Sequence, residues 1–350
     1  MRGNRGAKPT RMASPTQRNE ARHWLVTGGA GFIGSHLCDA LATRGDAVTI
    51  LDNLSTGRIE NVAAVCEREN VTFVEGSVTD AETVDELMAG VDGCLHLASA
   101  VGVQLVVDNP LESLLNNVRG TDVVMSAAAR HGRRLLFTST SEVYGKNSMG
   151  ALEESSDRIL GSPFKARWAY AIAKSFGESL AHSLHREQGA SFVVVRLFNT
   201  VGPRQQGRYG MVLPRFVQQA LSGEELTVYG SGRQSRCFAH VHDTVRAIVL
   251  LNDHPASTGD VFNIGGTTEI SIVDLARRVI ARTDSRSTIR FVPYDEAYGD
   301  GFEELGRRQP DTSRTSSLVG WAPSRTVDDA IDDIARHERA RLLADASLAA

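Results

Sequence analysis

Apolar residues in this chain fall into short unbroken runs, separated by segments in which apolar positions recur every three or four residues. The runs lie at 23–27, 47–51, 71–75, 94–98, 135–138 and 192–198. Helical periodicity fills the spaces between them, most clearly at 80–88, 111–131 and 166–188. A strand that is apolar throughout is covered on both faces, and strands that alternate with helices run parallel. The pattern therefore predicts an α/β fold with a doubly wound parallel sheet. After about residue 203 the pattern changes, strands become sparse, and glycine, arginine and aromatic residues mix. A helix over 241–252 and a strand over 261–264 are expected to return to the main sheet. A helix over 271–282, a short strand over 289–292 and a final helix over 327–343 follow. This second half reads as a smaller lobe over the carboxyl ends of the strands, where open α/β sheets bind ligands.

The first strand stops at Gly28, and Gly29, Gly31 and Gly34 complete G-x-G-x-x-G before a helical pattern begins. Strand, glycine turn and helix together make the fingerprint of a Rossmann dinucleotide site. The glycines let the backbone approach a pyrophosphate, and the helix start supplies N–H donors and partial positive charge. Asp52 closes the next strand, 21 residues past Gly31. A carboxylate there accepts from the ribose hydroxyls of NAD and repels the 2′-phosphate of NADP, so NAD is the expected cofactor.

Length and charge narrow the picture. The 350 residues allow a dinucleotide-binding domain over 23–200 and a second lobe over 201–350, with segments near 239–265 shared with the main sheet. Residues 1–22 carry six Arg or Lys and one Glu within a total of −4, which leaves the body near −9 and argues against a nucleic-acid binder. Those first 22 residues have no apolar run and read as a disordered basic tail. No signal-peptide core and no 18-residue apolar span is present in the sequence, so a soluble, cytoplasmic protein off the membrane is expected. Cys38, Cys66, Cys94 and Cys237 are scattered, reading as buried free thiols, and no metal site is expected.

Two clusters carry candidate chemistry. Tyr170 and Lys174 stand four apart in a helical pattern and so share a face. A phenol is a weak base at neutral pH, and a nearby ammonium favours its ionised form. The fifth strand ends in Thr140, Ser141 and Glu142, at the sheet edge where catalytic groups collect. Taken singly, each group has a bland reading as a surface pair, turn chemistry or a solvated charge.

Taken together, TGGAGFIGSHL, LDNLSTG (51–57), HLAS (96–99), STSEVYG (139–145), Tyr170 with Lys174, RLFNTVGPRQ (196–205), LTVYGSGRQSRCFAHVHD (226–243) and FNIGG (262–266) resemble the extended short-chain dehydrogenase/reductase family of nucleotide-sugar enzymes. The resemblance runs from about Trp24 to Trp321. It implies that Gly28, Gly31, Phe32, Ile33 and Gly34 cradle NAD, and that Asp52, Asn53, Ser55, Thr56, Gly57, Ser77 and Val78 hold its adenosine half. Leu97, Ala98, Ser99 and Asn117 would line the cofactor channel. Tyr170 would be the base, with Lys174 on the nicotinamide ribose, and Thr140, Ser141 and Glu142 beside it. Asn199, Arg204, Val212, Tyr229, Arg236 and Arg308 would hold a UDP-sugar. The family's third strand usually ends in Gly-Asp, where this chain has Gly76 and Ser77.

The resemblance also implies a shared first step, in which the sugar is oxidised at C4 by NAD. Glu142 and the Arg-Gln-Pro-Asp run at 308–311 resemble UDP-glucuronate decarboxylases, in which the C6 carboxylate leaves as carbon dioxide. Arg167 and Trp168 before Ala169 and Tyr170 resemble bacterial decarboxylases. The loop at 96–110 and the stretch at 210–216 resemble 4-epimerases, which makes UDP-glucose or UDP-glucuronate 4-epimerase the alternative and a 4,6-dehydratase the second. Relatives pair the two helices at 111–131 and 166–188 between subunits. A homodimer is therefore expected, with Val123, Val124, Ala127 and Ala128 as surplus apolar surface.

Overall fold

The computed structural model describes residues 21–100, 110–165, 167–207, 211–294, 296 and 307–349. The leader at 1–20, the centre of the 96–110 loop and residue 210 of the 210–216 stretch lie outside the described residues. The chain forms β1 (His23–Thr27), β2 (Ala47–Asp52), β3 (Val71–Glu75), β4 (Gly93–His96), β5 (Arg134–Thr140) and β6 (Phe192–Leu197). Short strands follow as β7 (Thr200–Val201), β8 (Leu226–Tyr229), β9 (Ser235–Cys237) and β10 (Ala239–His240). Then come β11 (Val261–Ile264), β12 (Glu269–Ser271), β13 (Ile289–Val292) and β14 (Arg307–Arg308).

The main sheet has seven parallel strands in the order β11-β6-β5-β4-β1-β2-β3. β1 is flanked by β2 and β4, so the winding reverses there, and a crevice opens at the carboxyl ends. Successive side chains point to opposite faces. Val26, Ile50 and Leu95 pack with Leu37, Leu41, Val245 and Ile248 on one face. Leu25, Leu51, Leu135 and Phe137 pack with Val84, Met88, Val124 and Ala181 on the other. The helices Phe32–Arg44 and Val241–Asp253 thus cover one side, and Ala81–Ala89, Pro110–Arg130 and Trp168–Gln188 the other.

β1, β3, β11 and β13 end where the sequence pattern places them, while β2 and β6 differ by one residue and β4 and β5 by two. β4 stops at His96 because the Leu97 N–H turns back to the Thr27 carbonyl at 3.0 Å and the Ala98 N–H to the Thr27 hydroxyl at 3.3 Å. β5 runs two residues past its apolar stretch, because Ser139 and Thr140 stay paired with Arg196 and Leu197. The surplus surface assigned to Val124, Ala127 and Ala128 is corrected: all three are buried in the monomer, and Val123 packs against the same cluster. The exposed apolar side chains of these two helices are instead Leu111, Leu115, Ile172 and Phe176.

The second half is richer in structure than its pattern suggests. A helix, Val212–Leu221, packs Leu213, Phe216 and Val217 with Leu275, Val279, Ile331 and Ile334 in a third core. The strands outside the main sheet are two to four residues long, too short for alternation to be read. They pair as β7 with β10, β8 with β13, and β12-β9-β14. In the last of these, Arg308 lies beside Arg236, while Arg307 reaches Glu269 on β12. Among the described residues no helix is long and apolar enough to cross a membrane. All four cysteines are free, and Cys66 is only partly buried.

Candidate active site

The crevice holds a cavity of about 500 Å³ that runs from the glycine turn to β14. At one end Gly28 adopts φ +71°, and a Cβ there would lie 2.6 Å from the Ala98 nitrogen. A Cβ at Gly34 would overlap the Gly28 carbonyl oxygen. Only glycine fits this close crossing of turn, helix and strand end. The helix that follows has Gly31 as its N-cap, which brings no side chain to the first-turn N–H groups, and Phe32 and Ile33 line the cavity there. A backbone cradle without side chains, at the start of a 13-residue helix, fits a pyrophosphate.

Asp52 stands beyond the cradle and is buried. Its carboxylate accepts from the N–H groups of Ala30 and Leu54, each at 2.9 Å, and burial pushes its pKa up against those bonds. Asn53, Ser55, Thr56, Ser77 and Val78 share this end. The Asn53 side-chain oxygen holds the Ser55 hydroxyl at 2.8 Å, and the Ser77 and Thr79 hydroxyls are paired at 2.8 Å. Across the floor, Asn117 accepts from the Ser99 hydroxyl at 2.9 Å and from the Ala100 N–H at 2.7 Å, which fixes the 97–100 segment.

Tyr170 and Lys174 project into the middle of the cavity from one face of their helix. Lys174 is buried and donates to the Thr138 carbonyl at 2.8 Å. Burial pushes its pKa down to about 7, against the pull of Glu178. Burial and the negative charge of Glu142 push the Tyr170 phenol above its ordinary value, and a hydrogen bond with Ser99 opposes them. The expectation that Lys174 lowers the phenol is corrected here: its ammonium donates one bond to Thr138, lies 5.9 Å from the tyrosine ring, and is not among the groups that shift the phenol.

The far end is cationic. Thr140 caps the turn Ser141–Tyr144 by accepting from the Glu142 N–H, which aims Glu142 at the cavity. Arg308 donates to Glu142 Oε1 at 2.8 Å and approaches the Ser141 hydroxyl at 3.4 Å. Arg167 Nη2 lies 3.9 Å from Glu142 Oε2. Burial opposes ionisation of Glu142, but Arg308, Arg167 and Arg236 outweigh it and hold the carboxyl below its ordinary range. A phenol, an ammonium, two hydroxyls and one carboxylate among three guanidiniums suit removal of a hydroxyl proton from an anionic substrate.

Most residues singled out in the sequence meet in this one cavity, including Leu97, Asn199, Arg204 and Val212. Gly57, Tyr229 and Arg236 are not part of its lining. Gly57 sits behind Asp52, where a Cβ would meet the carboxylate at 2.9 Å. The Tyr229 ring carries the Arg215 guanidinium at 4.1 Å. Arg236 is buried beside Arg308 on the adjoining strand. Arg204 lines the wall at φ +68° and pairs with Asp39 at 2.7 Å. Arg167, noted in the sequence only as part of a decarboxylase-like run and not as a site residue, also lines the cavity, as do Gln205, Gln206 and Phe238. Arg167 stands three residues before Tyr170, a spacing that places it on the same helical face.

The chain is similar to known nucleotide-sugar enzymes. Residues 24–265 match the model of the NAD dependent epimerase/dehydratase family. A UDP-N-acetyl-alpha-D-glucosaminuronate decarboxylase of Bacillus cytotoxicus is 38% identical over 86% of this chain and 92% of its own. UDP-glucuronic acid decarboxylase 1 of Xenopus tropicalis is 37% identical over 91% of this chain and 72% of its own. Among solved structures, a UDP-glucuronic acid 4-epimerase of Bacillus cereus in complex with UDP-glucuronic acid and NAD superposes with a TM-score of 0.81 at 27% identity, over 90% of this chain and 98% of that one.

Proposed function

The chain belongs to the NAD dependent epimerase/dehydratase family, and we propose that within it the protein is a UDP-glucuronate decarboxylase that uses NAD. The observation that carries this reading is the Arg308–Glu142 pair on the cavity wall. A 4-epimerase returns hydride to the opposite face of the sugar and makes no demand on a second carboxylate; one that acts on a uronate also needs a cation at C6, so Glu142 is the group that discriminates. The names of the Bacillus and Xenopus relatives support the same choice.

The glycine cradle and Asp52 would hold the cofactor, and Lys174 its ribose. NAD bound there would supply a hydride acceptor for C4 and positive charge beside the Tyr170 phenol, and the keto-pentose would be either reduced again or released. Tyr170 takes the proton of the C4 hydroxyl. Arg308 holds the C6 carboxylate through charge-assisted bonds. With a ketone at C4 that carboxylate belongs to a β-keto acid, which loses carbon dioxide readily. Ser141 and Glu142 manage the proton that C5 then gains. The N-acetylated uronate named for the Bacillus relative is a second substrate candidate, with the same chemistry at C4 to C6.

Incubation with UDP-glucuronate and NAD, with products resolved by mass spectrometry, tests the reading. A product lighter by one carbon dioxide is expected. Conversion to UDP-galacturonate without that loss overturns it. Arg308→Ala should raise KM for UDP-glucuronate by ~10-fold or more, the cost of a lost charge-assisted pair.

A further inference from the structure

We propose that the substrate's carboxylate draws Arg308 away from Glu142 on binding, and that Glu142 then takes up from solvent the proton it later delivers to C5. The proposal rests on the decarboxylase reading above. Its basis is the way the site's charges are paired.

Arg308 is 7% exposed, and its guanidinium is committed to Glu142 Oε1 at 2.8 Å. Its Nε is buried and makes no hydrogen bond among the described residues. The side chain therefore keeps a donor that no described residue uses, on a residue that lines the cavity. Glu142 is held through Nη1, so a second carboxylate that takes the Nε–Nη2 edge of the fork bidentately must turn the guanidinium toward itself and away from Glu142. The groups facing Glu142 are Arg308 on β14, Arg236 on β9, Arg167 ahead of the helix Trp168–Gln188, and Tyr170 on that helix, with Lys174 one turn further on. An incoming uronate adds a negative charge among them and takes a share of Arg308. Both changes disfavour the ionised form of Glu142, and two carboxylates that share one site share a proton.

The chemistry then balances. The C5–C6 bond breaks and its electron pair passes into the enolate of the C4 ketone. Carbon dioxide leaves as a neutral molecule, so Arg308 loses the anion it held. Glu142–H gives its proton to C5, the enolate becomes a ketone again, and the new carboxylate regains Arg308. Conversion of a uronate anion to carbon dioxide and a neutral pentose consumes one proton. The proposal sets its entry at substrate binding and names Glu142 as its carrier.

The test is titration calorimetry of the wild-type protein loaded with NADH, which cannot oxidise the sugar, so binding is measured without turnover. UDP-glucuronate is titrated at neutral pH in buffers of different ionisation enthalpy. The binding enthalpy is expected to vary with the buffer, with a slope that reports uptake of up to one proton per site. UDP-glucose, neutral at C6, and Glu142→Gln with UDP-glucuronate should both give a slope near zero. UDP-glucuronate binding to the wild type without proton uptake, or uptake that survives Glu142→Gln, overturns the proposal. Carbon dioxide release with NAD separates the two readings. An enzyme that decarboxylates yet takes up no proton on binding refutes the exchange alone, whereas one that releases no carbon dioxide refutes both.

Discussion

Lys174 Nζ donates to the carbonyl of Thr138 at 2.8 Å, so the ammonium is docked on the strand that leads directly to Thr140, Ser141 and Glu142. Its burial has a measurable consequence. The folded-state pKa is lowered to about 7, whereas a free lysine titrates near ~10.4. Between those values the unfolded chain holds a proton that the folded chain lacks, so this group's contribution to stability rises with pH. Below about pH 7 both states are protonated and the burial cost is fully present. Lys174→Met should therefore be more stable than the wild type near pH 6, by on the order of a few kcal/mol, with the gap closing toward pH 10. Thermal melts of the cofactor-free protein across that range check it, and a gap independent of pH refutes it.

Tyr170→Phe removes one hydroxyl and leaves the ring. Loss of a general base typically costs ~10²–10⁴-fold in rate. Turnover of the sugar should fall by that amount while NAD affinity is nearly unchanged. A variant that keeps more than about a tenth of the wild-type rate shows that the phenol is not the base.

The fold was legible where physics acts locally. β1, β3, β11 and β13 are apolar runs, and their boundaries coincide with those read from the sequence. The last two residues of β5 are polar and are held in the strand by pairing with β6, which no apolar pattern reports. The glycine turn, Asp52 and the Tyr170–Lys174 spacing were visible because their geometry is set within a few turns of chain. The partner of Arg308 was not visible. Glu142 lies 166 residues away, and β14 is two residues long. Asp311, three residues on, accepts instead from the Ser313 N–H at 2.7 Å. Tyr229 was likewise expected to hold the UDP-sugar, and only the fold shows that Arg215 lies over its ring.

Cofactor choice follows from Asp52. Its carboxylate is fixed by the Ala30 and Leu54 N–H groups, so it cannot swing away from a 2′-phosphate. NAD should bind at least ~10-fold more tightly than NADP, a difference of about 1.4 kcal/mol. Asp52→Asn, which keeps the shape and removes the charge, should narrow the ratio. Equal affinities in a fluorescence titration of the wild type would sink this assignment.

A homodimer is expected, through a face other than the one the apolar pattern suggested. Leu111 and Leu115 stand four apart on one helix, and Ile172 and Phe176 four apart on its neighbour. Both helices thus keep exposed apolar side chains that a second copy would cover. Light scattering at micromolar concentration should give a dimer mass, and Leu115→Glu with Phe176→Glu should give a monomer. A monomeric wild type removes the dimer from consideration.

The two-residue strand β14 carries two arginines with opposite fates. Arg307 points outward and holds both oxygens of Glu269 at 2.8 and 2.7 Å, while Arg308 points inward. Side chains alternate along a strand, so a slip of one position would exchange them and send the wrong arginine into the cavity. The clamp between Arg307 and Glu269, reinforced by the Ser235 hydroxyl on the same carboxylate at 2.8 Å, acts as an indexing pin for the catalytic wall. Selection for chemistry then falls on a surface ion pair that never meets the sugar. A neutral residue at Glu269 could silence the enzyme by misaddressing an arginine, with the fold, the cofactor cradle and every catalytic side chain intact.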